Sequence, residues 1–212
     1  MKKQLFILLF LLVSQSFALS LEQVKSALKE QTISKDSMEM NLRVSVRAAG
    51  VYQQTDIYIV NKGASKSYTE IKSSFLNQRS VVNGNKMKVV DLKTNKSQIV
   101  DYNGEALKSA SYGNFNPLDS GEWKVPKLQS GDIYLIEGSA GTLHYNSKLK
   151  RIEKIEAVKD KANTLTTFTY DANNNMKKMT VSVMVNGIES VVTTEILRMQ
   201  KSDKVSDRLF EF

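Results

Sequence analysis

The chain has 212 residues, with 30 Lys and Arg against 22 Asp and Glu, a formal charge of +8, one histidine and no cysteine. The missing cysteine excludes disulfides, and a single histidine without cysteine excludes the usual zinc ligand sets. The lysines are scattered rather than blocked, which argues against a nucleic-acid footprint.

The first eighteen residues read as a signal peptide cleaved after Ala18. Lys2 and Lys3 give a positive start, Leu5 to Val13 is an unbroken apolar run, and Ser16-Phe17-Ala18 supplies small residues before Leu19. The apolar run is short for a membrane span, and no later stretch approaches the ~18 residues that one needs. The expectation is an exported, periplasmic protein whose mature part, Leu19 to Phe212, forms one domain of 194 residues. Removing Lys2 and Lys3 lowers its formal charge to +6. Without a cysteine there is no residue for lipid attachment at the mature N-terminus, so the protein should be unanchored.

Ser20 with Gln23 has capping-box spacing. Leu21, Val24 and Leu28 form one apolar stripe, which predicts a helix fading near Thr32. The period then becomes two. Met38, Met40, Leu42, Val44 and Val46 alternate with polar residues and predict a half-buried strand. Further strands are predicted at Val51 to Val60, Ser65 to Ser73, Phe75 to Val82, Lys86 to Asp91 and Lys96 to Asp101. Asn83-Gly84 is a hairpin signal.

Asn103 to Ser130 is irregular, with a short helix expected around Glu105 to Ala110, and holds both prolines and the only tryptophan, Trp123. Long irregular segments in compact domains are often functional. Strands resume at Asp132 to Glu137 and Thr142 to Tyr145. In Leu149 to Val158 the apolar residues Leu149, Ile152, Ile155 and Val158 are spaced by three, which suits a helix. The short polar flanks and the surrounding strands favour a strand, and strand is our reading. Thr164 to Tyr170, Met176 to Val185 and Ile188 to Met199 follow, the last two joined at Asn186-Gly187. Val205 to Phe212 closes the chain. The fold class is α+β, mainly β: a curved antiparallel meander of about eleven strands, covered by the N-terminal helix and one or two short helices.

Catalytic signals are weak. His144 is the only histidine, and no G-x-S-x-G elbow accompanies it, so a hydrolase is a minor alternative. Asp171 to Asn175 begins like an EF-hand loop, but Met176 stands where Gly is required and Ser182 where a bidentate Glu is required. A polar hairpin turn is the simpler reading. Seven methionines remain after Ala18: Met38, Met40, Met87, Met176, Met179, Met184 and Met199. They suit either core filling or a surface that fits variable apolar shapes. One helix cannot cover so long a sheet, and a curved sheet with a leftover cavity would solve that.

In this order the features resemble the outer-membrane lipoprotein carrier family (LolA-like): leader without a lipidation cysteine, helix, and the strands Met40 to Arg47 and Asp56 to Val60. Ser80 to Asp91 around Asn83-Gly84 and the ending Asp207-Arg208-Leu209-Phe210-Glu211-Phe212 add to the likeness. The family's Arg-Pro pair after the second strand is absent, since Asn61 to Lys66 holds neither residue, so a lid-closing role does not carry over. The resemblance implies a half-barrel with an apolar interior that shields acyl chains. It implies a non-enzymatic, monomeric carrier without cofactor or metal, loaded by an inner-membrane donor complex and unloaded at an outer-membrane acceptor. Alternation nominates Met40, Leu42, Val44, Val46, Ile57, Ile59, Met87, Val89, Met179, Val181, Val183 and Ile196 as lining. Leu21, Val24 and Leu28 would join them from the helix. An alternative is an envelope sensor or interaction module on the same scaffold, with Trp123 and Phe115 as anchors.

Overall fold

Strict alternation of apolar and polar residues puts most of the chain into strands, because only the extended backbone sends successive side chains to opposite faces. A computed structural model describes residues 19–30, 37–63, 65–103, 117–119, 121–202 and 204–212. The leader, the end of the first helix near Thr32, the short helix expected at Glu105 to Ala110, and Phe115 lie outside these residues.

Helix α1 spans Leu21–Glu30. Its start is a reciprocal capping box. The Gln23 amide donates to Ser20 Oγ at 3.1 Å, and the Ser20 amide donates to Gln23 Oε1 at 2.8 Å.

Among the described residues thirteen strands form one antiparallel sheet. The first six are β1 (Ser37–Ala48), β2 (Val51–Lys62), β3 (Lys66–Ser73), β4 (Asn77–Asn83), β5 (Lys86–Asp91) and β6 (Ser97–Asp101). The second group is β7 (Lys127–Ser130), β8 (Ile133–Gly138), β9 (Gly141–Asn146) and β10 (Arg151–Lys159). It ends with β11 (Ala162–Tyr170), β12 (Met176–Val185) and β13 (Ile188–Lys201). The spatial order is β6-β5-β4-β3-β2-β1-β13-β12-β11-β10-β9-β8-β7. Two meanders thus run outward from a central pair of the first and last strands, in which Met40 faces Met199 and Leu42 faces Ile196. The curved sheet does not close into a barrel. Twelve of the thirteen correspond to the segments predicted as strands, and β7 lies inside the segment read as irregular.

Register breaks leave one extra residue at Leu197 in β13, Lys177 in β12, Glu153 in β10 and Gln129 in β7. Such bulges bend a strand and increase its twist, which curls the sheet. They also account for the ambiguous Leu149 to Val158 segment. Ile152 pairs with Tyr145 and Ile155 with Leu143, so the bulge at Glu153 puts two residues three apart on the same face. The helix-like spacing belongs to a bulged strand. Val158 lies on the other face and is exposed, and Leu149 lies in the preceding turn.

One sheet face carries α1; the opposite face carries the C-terminal 3₁₀ turn Asp207–Phe210. Under α1, Val24 packs with Leu118, Ile136, Leu143, Tyr145, Ile152 and Phe168. A second cluster on that face joins Met38, Met40, Leu42, Ile59 and Ile196. On the opposite face Phe210 packs with Val60, Tyr68 and Val81.

Trp123 bridges to Gly138 and leans on the α1 cluster. A Cβ at Gly138 would lie 2.6 Å from the Glu122 carbonyl oxygen and 2.5 Å from the Trp123 ring. Gly138→Ala should therefore cost about 1–3 kcal/mol as the β8 end is pushed away, read as a lower denaturation midpoint. An unchanged midpoint would show that the contact is slack. Gly141, at φ +130, is equally fixed, with a Cβ falling 2.3 Å from the Glu156 carbonyl.

Candidate functional site

Cross-strand register places all of the nominated strand residues on the α1 face. Leu42 pairs with Ile57 and Met40 with Ile59 on one side of β1; on the other, Leu42 pairs with Ile196. Val44 and Val46 continue the row, facing Thr194 and Val192. Met179 and Val181 pair with the same two residues from β12, and Val183 pairs with Ser190. Met87 and Val89 sit on the same face farther out, opposite Val82 and Ser80.

The face divides into two regions. Met40, Leu42, Ile59, Ile196 and, from α1, Val24 are buried, and Leu21, Leu28, Ile57 and Met179 pack against them. Their immediate work is core packing. Val44, Val46, Val181 and Val183 are only half-buried and belong to none of the three clusters, and Met87 and Val89 are half-buried too. The four valines form a semi-open apolar strip beside the helix-covered core, and Met87 and Val89 stand apart from it on β5, four strands from β1.

Alternation missed several residues that build this face. Leu143 and Tyr145 were legible as an alternating pair, yet the strand was too short to draw attention. Ile152, Ile155, Met176 and Met199 were hidden by bulges, which break the period of two. Six of the seven methionines lie on the α1 face. Met184 is the exception, exposed on the opposite face.

Beside the Phe210 cluster the opposite face is polar and tightly paired. Arg43 Nε donates to Asp56 Oδ1 at 2.8 Å, and this holds the Asp56 carboxyl below its usual range. Glu70 is held low by Lys72 first and Tyr68 next; the Tyr68 hydroxyl donates to Glu70 Oε2 at 2.6 Å. A cavity of about 300 Å³ lies here, lined by Asn41, Asp56, Tyr58, Glu70, Lys72 and the bulged Leu197, among others. Its walls are mixed, with the charged Asp56, Glu70 and Lys72 beside the apolar Leu42, Ile57 and Leu197. The valine strip on the α1 face is the more uniformly apolar of the two surfaces.

Burial pushes the Tyr68 hydroxyl up to about 12, with Glu70 adding to the shift, and burial also raises Tyr170, whose hydroxyl donates to the Ile152 carbonyl. Both phenols stay protonated in the fold after those of the unfolded chain ionise near 10.0. Their stabilisation is therefore complete below pH 10.0 and is lost as pH rises toward about 12. Thermal midpoints should fall between about pH 9 and about pH 11.5, and a flat profile would contradict the tyrosine environments.

His144 is buried on the opposite face, with Nε2 2.8 Å from Glu156 Oε2. The pair ties β9 to β10 across the sheet. Asp171 caps its own turn, accepting from the amides of Asn173 and Asn175 at 2.9 Å each, and these bonds are the polar-turn reading in structural form. Among the described residues no group of three acidic or histidine side chains is placed to hold a metal. Among them also, no helix is long and apolar enough to cross a membrane.

The same architecture occurs in a solved domain from Vibrio parahaemolyticus, provisionally named an outer membrane lipoprotein-sorting protein domain. The TM-score is 0.52 at 8% identity, over 91% of this chain and 96% of that one. The fold is LolA-like. Weaker likenesses are a LolA superfamily protein from Nitrosomonas europaea (TM-score 0.44, 15% identity, 92% of this chain and 99% of that one) and a DUF1329 family protein from Desulfovibrio piger (TM-score 0.43, 12% identity, 89% and 94%). No family model and no curated protein matches the chain. In this LolA-like sheet the closing Asp207 to Phe212 motif has a visible job. Asp207 meets Lys62 at 3.0 Å and Lys66 at 3.3 Å, while Phe210 fills the opposite-face cluster. The two lysines stand in the stretch where the family's Arg-Pro pair is absent.

Proposed function

We propose that the protein is a soluble, monomeric periplasmic carrier that shields acyl chains of lipoproteins, or of a related lipid, on the α1 face of its sheet. It would receive cargo from an inner-membrane donor complex and yield it to an outer-membrane acceptor, without catalysis. The observation that carries this reading is the half-buried strip of Val44, Val46, Val181 and Val183 beside a helix-covered core. The lipoprotein-sorting domain that shares the fold supports the class of cargo.

The physical need is large. A 16-carbon chain left in water costs about 12 kcal/mol, at about 0.8 kcal/mol per methylene. A bent, partly covered apolar face removes much of that cost and can still release cargo. Binding needs only apolar area, and in keeping with this the strip carries no charged residue at the four positions named. A fluorescent fatty-acid displacement assay tests the reading. Saturable displacement by long-chain lipids is expected, and failure to bind any acyl probe would overturn it.

A further inference from the structure

We propose that the rim formed by the β1–β2, β10–β11 and β12–β13 turns is a contact surface for a phospholipid membrane. This goes beyond the carrier reading and does not rest on it. The three hairpins are neighbours that end at one level. A single rung runs from Ala48 to Ser190, Val183, Thr164 and Ala157 across five adjacent strands. At or near that rung seven large apolar side chains are exposed: Val51, Tyr52, Val158, Leu165, Met184, Val185 and Ile188. Val158 is 78% exposed and Ile188 60%. The turns at the other end of the sheet are polar: Asn83 to Asn85, Gly131-Asp132, Ser147 to Lys150 and Asp171 to Asn175. Among their described residues Leu149 is the one exposed large apolar side chain.

The geometry favours lipid over a protein partner. Val51 and Ile188 lie on the α1 face, but Tyr52, Val158, Leu165 and Met184 lie on the opposite face. A protein would need a slot that grips both sides of the sheet. A fluid bilayer surface accepts an edge whose apolar side chains point both ways, with no shape requirement. The exposed cations Arg47, Lys159 and Lys161 are matched by the exposed Glu156, Asp160 and Glu189, so the apolar side chains rather than net charge carry the contact. Tyr52 supplies the amphipathic ring that such interfaces favour.

Because the chain contains no cysteine, one can be introduced for a single label. Val158→Cys carrying an environment-sensitive dye should shift to the blue with vesicles of phosphatidylethanolamine and phosphatidylglycerol. The same dye at Lys148→Cys, on the polar end, should not. Unlabelled protein should float with these vesicles, and Tyr52→Ser/Val158→Ser should reduce the bound fraction by about tenfold or more. Thermal midpoints of the variant check its folding. Fatty-acid displacement by the variant should be unchanged, because both residues lie away from the α1 face. Wild-type protein that does not float, a dye at 158 that reports no change, or a folded double variant that floats like wild type would each overturn the proposal. Loss of fatty-acid binding with vesicle flotation intact would strike the carrier reading alone.

Discussion

Phe210→Ala should destabilise the protein by about 3–5 kcal/mol, the cost of removing a fully buried aromatic ring and leaving the space unfilled. The ring sits under the 3₁₀ turn and packs with Val60, Tyr68 and Val81 on the face opposite α1. Truncation removes more than its own contacts. Lys62 and Lys66 hold Asp207, and Lys62 Nζ also donates to the Val205 carbonyl at 2.8 Å, so the whole C-terminal turn depends on the ring to stay seated. Chemical denaturation should show a lower midpoint, and Asp207→Asn should cost far less because its ion pairs are exposed. A loss under about 1 kcal/mol for Phe210→Ala would mean that the tail is not part of the cooperative fold.

Val44→Glu combined with Val181→Glu should abolish acyl binding while leaving the fold intact. Both side chains are half-buried on the α1 face, outside the packed clusters, so each carboxylate can reach water in the free protein. Against a bound alkyl chain the same carboxylates would be desolvated, at a cost of several kcal/mol. Fatty-acid displacement should fall by at least about a hundredfold, and the circular dichroism spectrum should be unchanged. Leu42→Glu makes a useful contrast. Leu42 is buried in the central cluster, and its substitution should unfold the protein rather than merely block binding. Binding by the folded double variant at wild-type affinity would move the site elsewhere.

Alternation was enough to place the twelve nominated strand residues on one face of the sheet, because β1, β2, β5 and most of β12 keep a period of two, and the helical stripe brought Leu21, Val24 and Leu28 to the same side. The capping box of Ser20 and Gln23 and the turns at Asn83-Gly84 and Asn186-Gly187 were local chemistry that tertiary contacts had no reason to override. What escaped was non-local. The pairing of the first strand with the last, which sets Leu42 against Ile196, leaves no short-range mark in the sequence. A bulge gave Ile152 and Ile155 a helix-like spacing within a segment read as a strand, and an edge strand of four residues, Lys127–Ser130, was too short to register. The division of the α1 face into buried core and semi-open strip was likewise illegible, since Leu42 and Val44 are equivalent in the pattern and differ only in what packs over them.

Native mass spectrometry of the protein purified from the periplasm tests the central claim most directly. If the α1 face shields acyl chains, the wild-type protein should carry a bound acylated species that dissociates on activation and is missing from the Val44→Glu/Val181→Glu variant. Wild-type protein found only at its bare polypeptide mass, with no adduct after addition of long-chain lipid, would contradict the account.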